Sequence, residues 1–325
     1  MTAALLANIV FWSGVAIGGV VFAALLEVTG AEWAGPMRRI AERFQSFLPI
    51  SFAAVVLFVW RSGGAYPWGR EPMTERWWTP WFVALRIDAA LAVVYVAAFA
   101  FCRSSRRARA RNDGTSATPS AIVFLLVYAT GFSSFAADAI MSLEPRWIST
   151  LFPAYVFTAN VYAGIAAAAL LAAWTDDAAM TPAGSRDTAN LIVTVALFWF
   201  YLFWSQFLVI WYGNLTSEVG YVMRHLESRH TAAWAVCLLA CALPAAVFIP
   251  RRGKRPGTIK TLTPLVLVGL WLERWLLIAP DVPSASLFAG AVMAILFGAV
   301  FVGVVSGAAW ERASVRGPHV PTPRQ

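Results

Sequence analysis

The sequence predicts an all-α integral membrane protein built as one bundle of nine transmembrane helices. Hydrophobic residues make up 59% of its 325 residues and charged residues only 13%, whereas soluble domains contain roughly 45–50% and about 25%. The mean hydropathy of +0.65 agrees with this class. So few charges cannot cover the surface of a soluble protein of this length. In addition, nine apolar stretches resemble membrane spans in length and composition.

Each predicted span is a mostly apolar stretch, because a helix needs about 20 such residues to cross the hydrocarbon core. The first is long and lacks a basic N-terminal region, which predicts a retained span rather than a cleaved signal. The second has 14 residues and needs an extra turn from its flanks. Residues 1–312 are therefore expected to form one polytopic domain and residues 313–325 a short disordered tail. The nine spans are Ala4–Val28, Phe47–Trp60, Trp78–Cys102, Pro119–Leu143, Leu151–Trp174, Ala189–Tyr212, Ala232–Ile249, Leu262–Ala279 and Ser284–Trp310.

The orientation of the bundle follows from the distribution of its basic residues. Of the 25 lysines and arginines, 17 fall on the side of the C-terminus and 6 on the side of the N-terminus, and the other 2 lie inside spans. Cytoplasmic loops of membrane proteins carry an excess of Lys and Arg. The N-terminus is therefore expected outside and the C-terminus in the cytoplasm.

Several cofactors and activities have no ligands or motifs in this sequence. The three histidines, His225, His230 and His319, all fall outside the predicted spans, so a bis-histidine haem inside the bundle is excluded. The three cysteines lie in or beside apolar stretches without a CxxC spacing, which favours neither zinc nor an iron–sulfur cluster. A glycine-rich phosphate loop and a Ser/His/Asp arrangement are missing as well. We therefore expect this chain to hold no metal or haem.

Five charged residues and one glutamine lie within predicted spans in the outer half of the bilayer. An ionisable group there costs roughly 3 kcal/mol even on the insertion scale, so each needs a partner or a function. Asp138 and Glu273 lie about 9 Å from the outer ends of their helices at 1.5 Å per residue. Two cations and three acids at similar depth predict a shared polar network. Its members are Arg86, Asp88, Asp138, Gln206, Glu273 and Arg274.

Three interpretations of this network remain open. It can be a buried set of ion pairs that fixes the positions of the helices, because networks with a purely structural role shift pKa values just as catalytic sites do. It can be a proton route from the outer face, with Asp138 or Glu273 as the carrier. It can also hold the head group of a quinone. Only Glu27, Tyr95 and Tyr128 are evident candidates to continue a proton route through the inner half.

Two glycine pairs have the spacing that lets transmembrane helices approach closely. They are Gly14 with Gly18 in the first span and Gly303 with Gly307 in the last. Such small-xxx-small spacings serve packing within a bundle or dimerisation between bundles. Packing within the bundle is the expectation for both.

Two sequence motifs go beyond composition. DAIMSLEPRWIST covers residues 138–150 at the outer end of the fourth span, and FWSQFLVIWYGN covers residues 203–214 at the outer end of the sixth. Together with FWSGVAIGGVVF in the first span and WLERWLLIAP in the eighth, they run in the same order over nearly the whole chain as in one known family. The chain resembles the F subunits of bacterial alternative complex III, which belong to the NrfD-like (polysulfide-reductase-type) membrane proteins. It begins where the second helix of that family would be, so the NrfD-like bundle is expected to lack its usual first helix.

The resemblance implies a subunit of a quinol:cytochrome c oxidoreductase, or of a complex with another periplasmic acceptor, in the bacterial cytoplasmic membrane. It implies partner subunits that hold haem c and iron–sulfur clusters, and an NrfD-like C subunit that is the better candidate for the quinol site. Quinone binding by this chain stays open. The alternatives are a stand-alone proton-coupled transporter and a pure assembly scaffold. The outer ends of the two motifs are expected to form a docking surface for the periplasmic subunits, made of Glu144, Arg146, Trp147, Trp211, Tyr212 and Asn214.

Overall fold

The computed structural model describes residues 2–31, 34–61, 66–70, 76–111, 116–144, 147–175, 180–214, 219, 229–279 and 286–315. Within these ranges every regular element is helical, and nine helices are long and apolar enough to cross a membrane. The predicted fold class, an all-α integral membrane protein, is therefore confirmed. The nine spans run over Thr2–Val28, Gly35–Arg61, Pro80–Arg111, Thr118–Leu143, Phe152–Thr175, Pro182–Gly213, His230–Phe248, Pro256–Ile278 and Leu287–Gly307.

Several of the spans are longer than their apolar stretches predict, among them the second, the third and the last. The second has 27 residues, because the amphipathic helix Gly35–Arg43 continues through the 3-10 turn Phe44–Phe47 into Leu48–Arg61. The third continues past its apolar part to Arg111. The last helix extends to Val315, so the three residues after 312 are helical; residues 316–325 lie outside the described residues.

Short helical segments complete the described part of the chain. Pro67–Arg70 and Arg76–Trp78 lie between the second and third spans, and Arg251–Gly253 lies between the seventh and eighth. The fourth span consists of the α-helix Thr118–Ala139 and the 3-10 turn Met141–Leu143.

The first and fifth spans cross at the centre of the bundle. The first span is buried on every side, as expected of a helix surrounded by other helices. A Cβ atom on Gly18 would lie 1.8 Å from the carbonyl oxygen of Asn160, and one on Gly164 would lie 2.2 Å from the carbonyl carbon of Gly18. The packing role expected for the first glycine pair is therefore confirmed. The second pair differs, because a Cβ atom on Gly303 or Gly307 would meet nothing within 4 Å.

The seventh span contains a π-helical turn at Leu238–Ala242, followed by the helix Leu243–Phe248. In an α-helix the carbonyl group of Ala240 would accept a hydrogen bond from the amide of residue 244, but Pro244 has no N–H. The hydroxyl group of Tyr162 in the fifth span donates to this carbonyl at 2.7 Å instead. A side chain from another helix thus replaces the missing backbone donor.

Contacts between span ends define two sides of the bundle. Trp60, near the end of the second span, bonds to Asp88, near the start of the third. Glu27, near the end of the first span, bonds to Ala117, just before the fourth. We call the side with the start of the first span the N-terminal side. The opposite side is called the Arg109 side, because the third span ends there near Arg109.

Candidate functional site

Arg86 of the third span and Asp138 of the fourth form a bidentate ion pair. The Nε and Nη2 atoms of Arg86 donate to the two carboxylate oxygens at 2.9 and 2.7 Å. The third nitrogen, Nη1, donates to the carbonyl oxygen of Trp77 at 2.7 Å, and the guanidinium lies 4.2 Å from the centre of the Trp77 ring. The two side chains are only 16% and 13% exposed. All nitrogen atoms of the guanidinium are therefore engaged near the N-terminal side of the bundle.

Glu273 and Arg274 form a second ion pair, deeper inside the protein. Although they are sequence neighbours, Nη1 of Arg274 bonds to both carboxylate oxygens of Glu273 at 2.8 and 2.7 Å. Its Nη2 donates to the carbonyl oxygen of Val156 at 3.0 Å and to Oδ1 of Asn160 at 3.1 Å. Both charged side chains are buried. This pair therefore joins the eighth span to the fifth.

Among the described residues, neither Asp88 nor Gln206 is hydrogen-bonded to either ion pair. Oδ2 of Asp88 accepts a hydrogen bond from Nε1 of Trp60 at 2.7 Å, which joins the third span to the second. Its Oδ1 is buried without a hydrogen-bond partner. Gln206 is half-buried in the sixth span. Within the described residues, hydrogen bonds join four of the six residues as two pairs and join Asp88 to Trp60. No hydrogen bond between described residues links these contacts into the shared network expected from their similar depth.

The residues around Asp138 are held by the connection between the second and third spans. Tyr66 is buried and donates from its hydroxyl group to the carbonyl oxygen of Ala139 at 3.1 Å, and burial raises its pKa. Trp68 stacks on Tyr66 with 4.7 Å between ring centres, and its indole N–H donates to Ser142. The SLEPRW motif therefore begins inside the fold, under a covering segment.

A third charged cluster lies on the Arg109 side and was missed by the sequence analysis. The carboxylate of Glu42, which is only 2% exposed, accepts two hydrogen bonds from Arg109, one at 2.7 Å. Ser105 donates to the same carboxylate at 2.7 Å. Glu27 pairs with Arg38 and accepts from the amide of Ala117 at 3.0 Å. This cluster fixes the amphipathic Gly35–Arg43 helix to the third span.

One sequence signal points to this cluster. Ser105 and Arg109 are four residues apart, as are Arg38 and Glu42, and residues at that spacing share one face of a helix. A charged residue on the buried face of an amphipathic helix needs such a partner. The signal becomes visible only when residues 35–43 and 103–111 are assigned to helices, whereas the apolar stretches alone leave them in loops.

The six residues expected to form a docking surface divide into an exposed and a buried part. Trp211 and Tyr212 are 66% and 87% exposed, and Asn214 is exposed at the end of the same helix. Trp147 is buried and packs edge-on against Phe152. The expectation that Trp147 forms part of a docking surface is therefore wrong, because its ring is not accessible to a partner. Glu144 is half-buried and has an interaction within the chain. Arg146 lies outside the described residues.

Comparison with known proteins adds no identification. Neither a scan of protein-family models nor a search of curated proteins finds a match to this chain. In the described part of the chain, no group of three or more His, Cys, Asp or Glu residues could hold a metal ion. In the described residues the candidate site is therefore a set of paired charges in a membrane bundle, together with the exposed aromatic end of the sixth span.

Proposed function

We propose that this chain is a non-catalytic membrane subunit of a quinol-oxidising electron-transfer complex in the bacterial cytoplasmic membrane. Its motifs resemble those of the F subunit of alternative complex III. In this proposal the N-terminal side faces the periplasm, and partner subunits there carry haem c and iron–sulfur clusters. The NrfD-like C subunit oxidises the quinol, and electrons pass to cytochrome c or another periplasmic acceptor.

The observation that carries the proposal is the outward face of the sixth span. Tyr201 is 62% exposed and Trp204 is 50% exposed. They lie about 18 and 14 Å from Gly213 along the helix at 1.5 Å per residue, which is well inside a hydrocarbon core of about 30 Å. No hydrogen bond from the described residues satisfies either polar group. A polar group without a partner is costly in lipid, so this face supports contact with another subunit.

The ninth span provides the comparison within the same molecule. Its exposed large residues include Phe288, Ile295, Leu296 and Val300, none of which carries a hydrogen-bonding group. Such a face suits lipid, whereas the sixth span combines aromatic rings with polar atoms, a composition that is common at interfaces. The contrast favours a subunit of a complex over a stand-alone transporter.

The test is purification of the tagged full chain from its native membrane in mild detergent. We expect multihaem cytochrome and iron–sulfur proteins to purify with it. The variant Trp211→Ala/Tyr212→Ala should lose at least half of that haem, because it removes the exposed end of the sixth span. The control Leu287→Ala/Phe288→Ala truncates two exposed side chains on the same side of the bundle and should keep it. A chain that purifies alone and transports solutes in vesicles would overturn the proposal.

The contacts of Asp138 favour a structural role for it over proton transfer. Both carboxylate oxygens are held by Arg86, so Asp138→Asn removes one acceptor and leaves a partly buried cation without its counter-ion. We expect the yield of the complex to fall several-fold, while quinol oxidation per haem stays within about twofold of normal. Haem content and activity of the same preparation provide the measurement. Normal yield with lost proton release would instead establish Asp138 as a proton carrier, the second interpretation of the outer charges.

A further inference from the structure

A group of arginines remains exposed where the third span leaves the apolar part of the bundle. The helix Pro80–Arg111 has 32 residues and is therefore about 48 Å long, against about 30 Å for the hydrocarbon core. Arg103 lies about 35 Å from Pro80 along this helix, at the depth where lipid head groups begin. The exposed arginines here are Arg103, Arg106, Arg107 and Arg111.

The acidic residues described at this corner do not neutralise these arginines. Glu42 is engaged by Arg109, and Glu27 is engaged by Arg38. Arg39, on the amphipathic helix beside this cluster, is exposed as well. The buried Glu42 carboxylate thus fixes two cation-bearing helices to each other without cancelling the charge of their exposed arginines.

The same face of the third span continues from charged to apolar residues. Val96, Phe99, Arg103 and Arg106 follow one another at intervals of three or four residues, so they lie along one helix face. Val96 is 68% exposed and Phe99 is 37% exposed. A ligand on this face would therefore meet apolar side chains within the bilayer and guanidinium groups at its surface.

We propose that the exposed arginines at the end of the third span, together with the adjoining apolar face that includes Val96 and Phe99, bind an anionic phospholipid. The arginines hold the phosphate group, for which guanidinium forks are well suited, and the apolar part contacts an acyl chain. Clusters of four to eight basic residues next to a span attract anionic lipids. The adjoining apolar part selects a lipid over an acidic protein segment or free phosphate. The proposal does not depend on the proposed respiratory function.

The test compares two sets of three exposed arginines. The purified, delipidated full chain is titrated with phosphatidylglycerol or phosphatidylcholine in mixed micelles, and bound lipid is measured by native mass spectrometry. Arg103→Gln/Arg106→Gln/Arg107→Gln should weaken phosphatidylglycerol binding at least tenfold, since each basic residue near the surface contributes several-fold. The control Arg251→Gln/Arg252→Gln/Arg255→Gln removes the same charge from exposed positions between the seventh and eighth spans and should change it less than twofold.

Three additional measurements can contradict the proposal: a lysine variant, a comparison of the two lipids and a competition with inorganic phosphate. The variant Arg103→Lys/Arg106→Lys/Arg107→Lys keeps the charge and should retain most of the preference, even where the glutamine variant folds poorly. Equal losses in the two glutamine variants would reduce the effect to general electrostatics and overturn the site. So would equal binding of the two lipids. Displacement of phosphatidylglycerol by equimolar inorganic phosphate would show a phosphate site without a lipid contact.

Discussion

Gly18→Ala is expected to prevent the bundle from assembling. The added Cβ atom would lie 1.8 Å from the carbonyl oxygen of Asn160 and 2.5 Å from its carbonyl carbon. These are backbone atoms of the central fifth span, so no side-chain rotation can relieve the overlap. Overpacking in a well-packed core costs about 1–3 kcal/mol and occasionally more, and a clash with backbone belongs at the upper end. The measurement is the fraction of monodisperse, folded chain after detergent extraction, together with its unfolding midpoint.

Gly307→Ala is the matched control, because it makes the same chemical change within the same kind of motif. Nothing lies within 4 Å of the position that its Cβ would occupy. Alanine also favours a helix over glycine by about 1 kcal/mol, so this variant should fold at least as well as the parent. Equal losses in the two variants would contradict the central role assigned to the crossing of the first and fifth spans.

Arg274→Met is expected to produce the second large effect. It leaves the carboxylate of Glu273, which is 4% exposed, with Tyr155 as its remaining side-chain partner. Breaking a buried ion pair on one side costs about 3–5 kcal/mol. The chain should therefore unfold at a much lower denaturant concentration in mixed micelles, and its yield should fall.

The double variant Glu273→Gln/Arg274→Met separates the charge effect from lost packing. It removes both charges and restores neutrality to the buried site, and replacing a whole buried pair is often nearly neutral. We therefore expect the double variant to be more stable than Arg274→Met alone, even though it contains one more substitution. If the two are equally stable, the cost comes from the lost contacts of Arg274 to Val156 and Asn160 rather than from an unpaired charge.

The spans could be predicted from the sequence because each contains a long apolar stretch, but their full lengths could not. The helix Gly35–Arg43 buries Met37, Ile40 and Ala41 between charged residues, so its average hydropathy hides its apolar face. Hydropathy also misses the arginine-rich end of the third span. Its residues are charged, yet Arg109 lies against the protein and bonds to Glu42. Hydropathy measures composition along the chain and does not register which face a residue occupies.

The charged residues of the candidate site could be found from the sequence, but their partners could not. Depth alone placed Arg86, Asp138 and Arg274 in one layer, whereas pairing depends on which helices are adjacent and how each is rotated. Trp147 illustrates the same limit for the aromatic residues. Tryptophan near a span end is typical of the membrane interface, yet here the ring packs inward against Phe152, whereas Trp211 at the end of the sixth span is exposed.

The bond from Tyr162 to Ala240 has a consequence for how this sequence can change over time. Pro244 withholds a backbone donor, and the hydroxyl group of Tyr162 supplies the replacement from another helix. Losing Tyr162 while Pro244 is present leaves the carbonyl group of Ala240 without this donor, and a buried acceptor without a partner costs about 1–3 kcal/mol. Replacing Pro244 while Tyr162 is present does not remove a donor, because residue 244 then regains its own N–H. Substitutions at the two positions are therefore coupled in one direction, since the proline constrains the tyrosine more than the tyrosine constrains the proline.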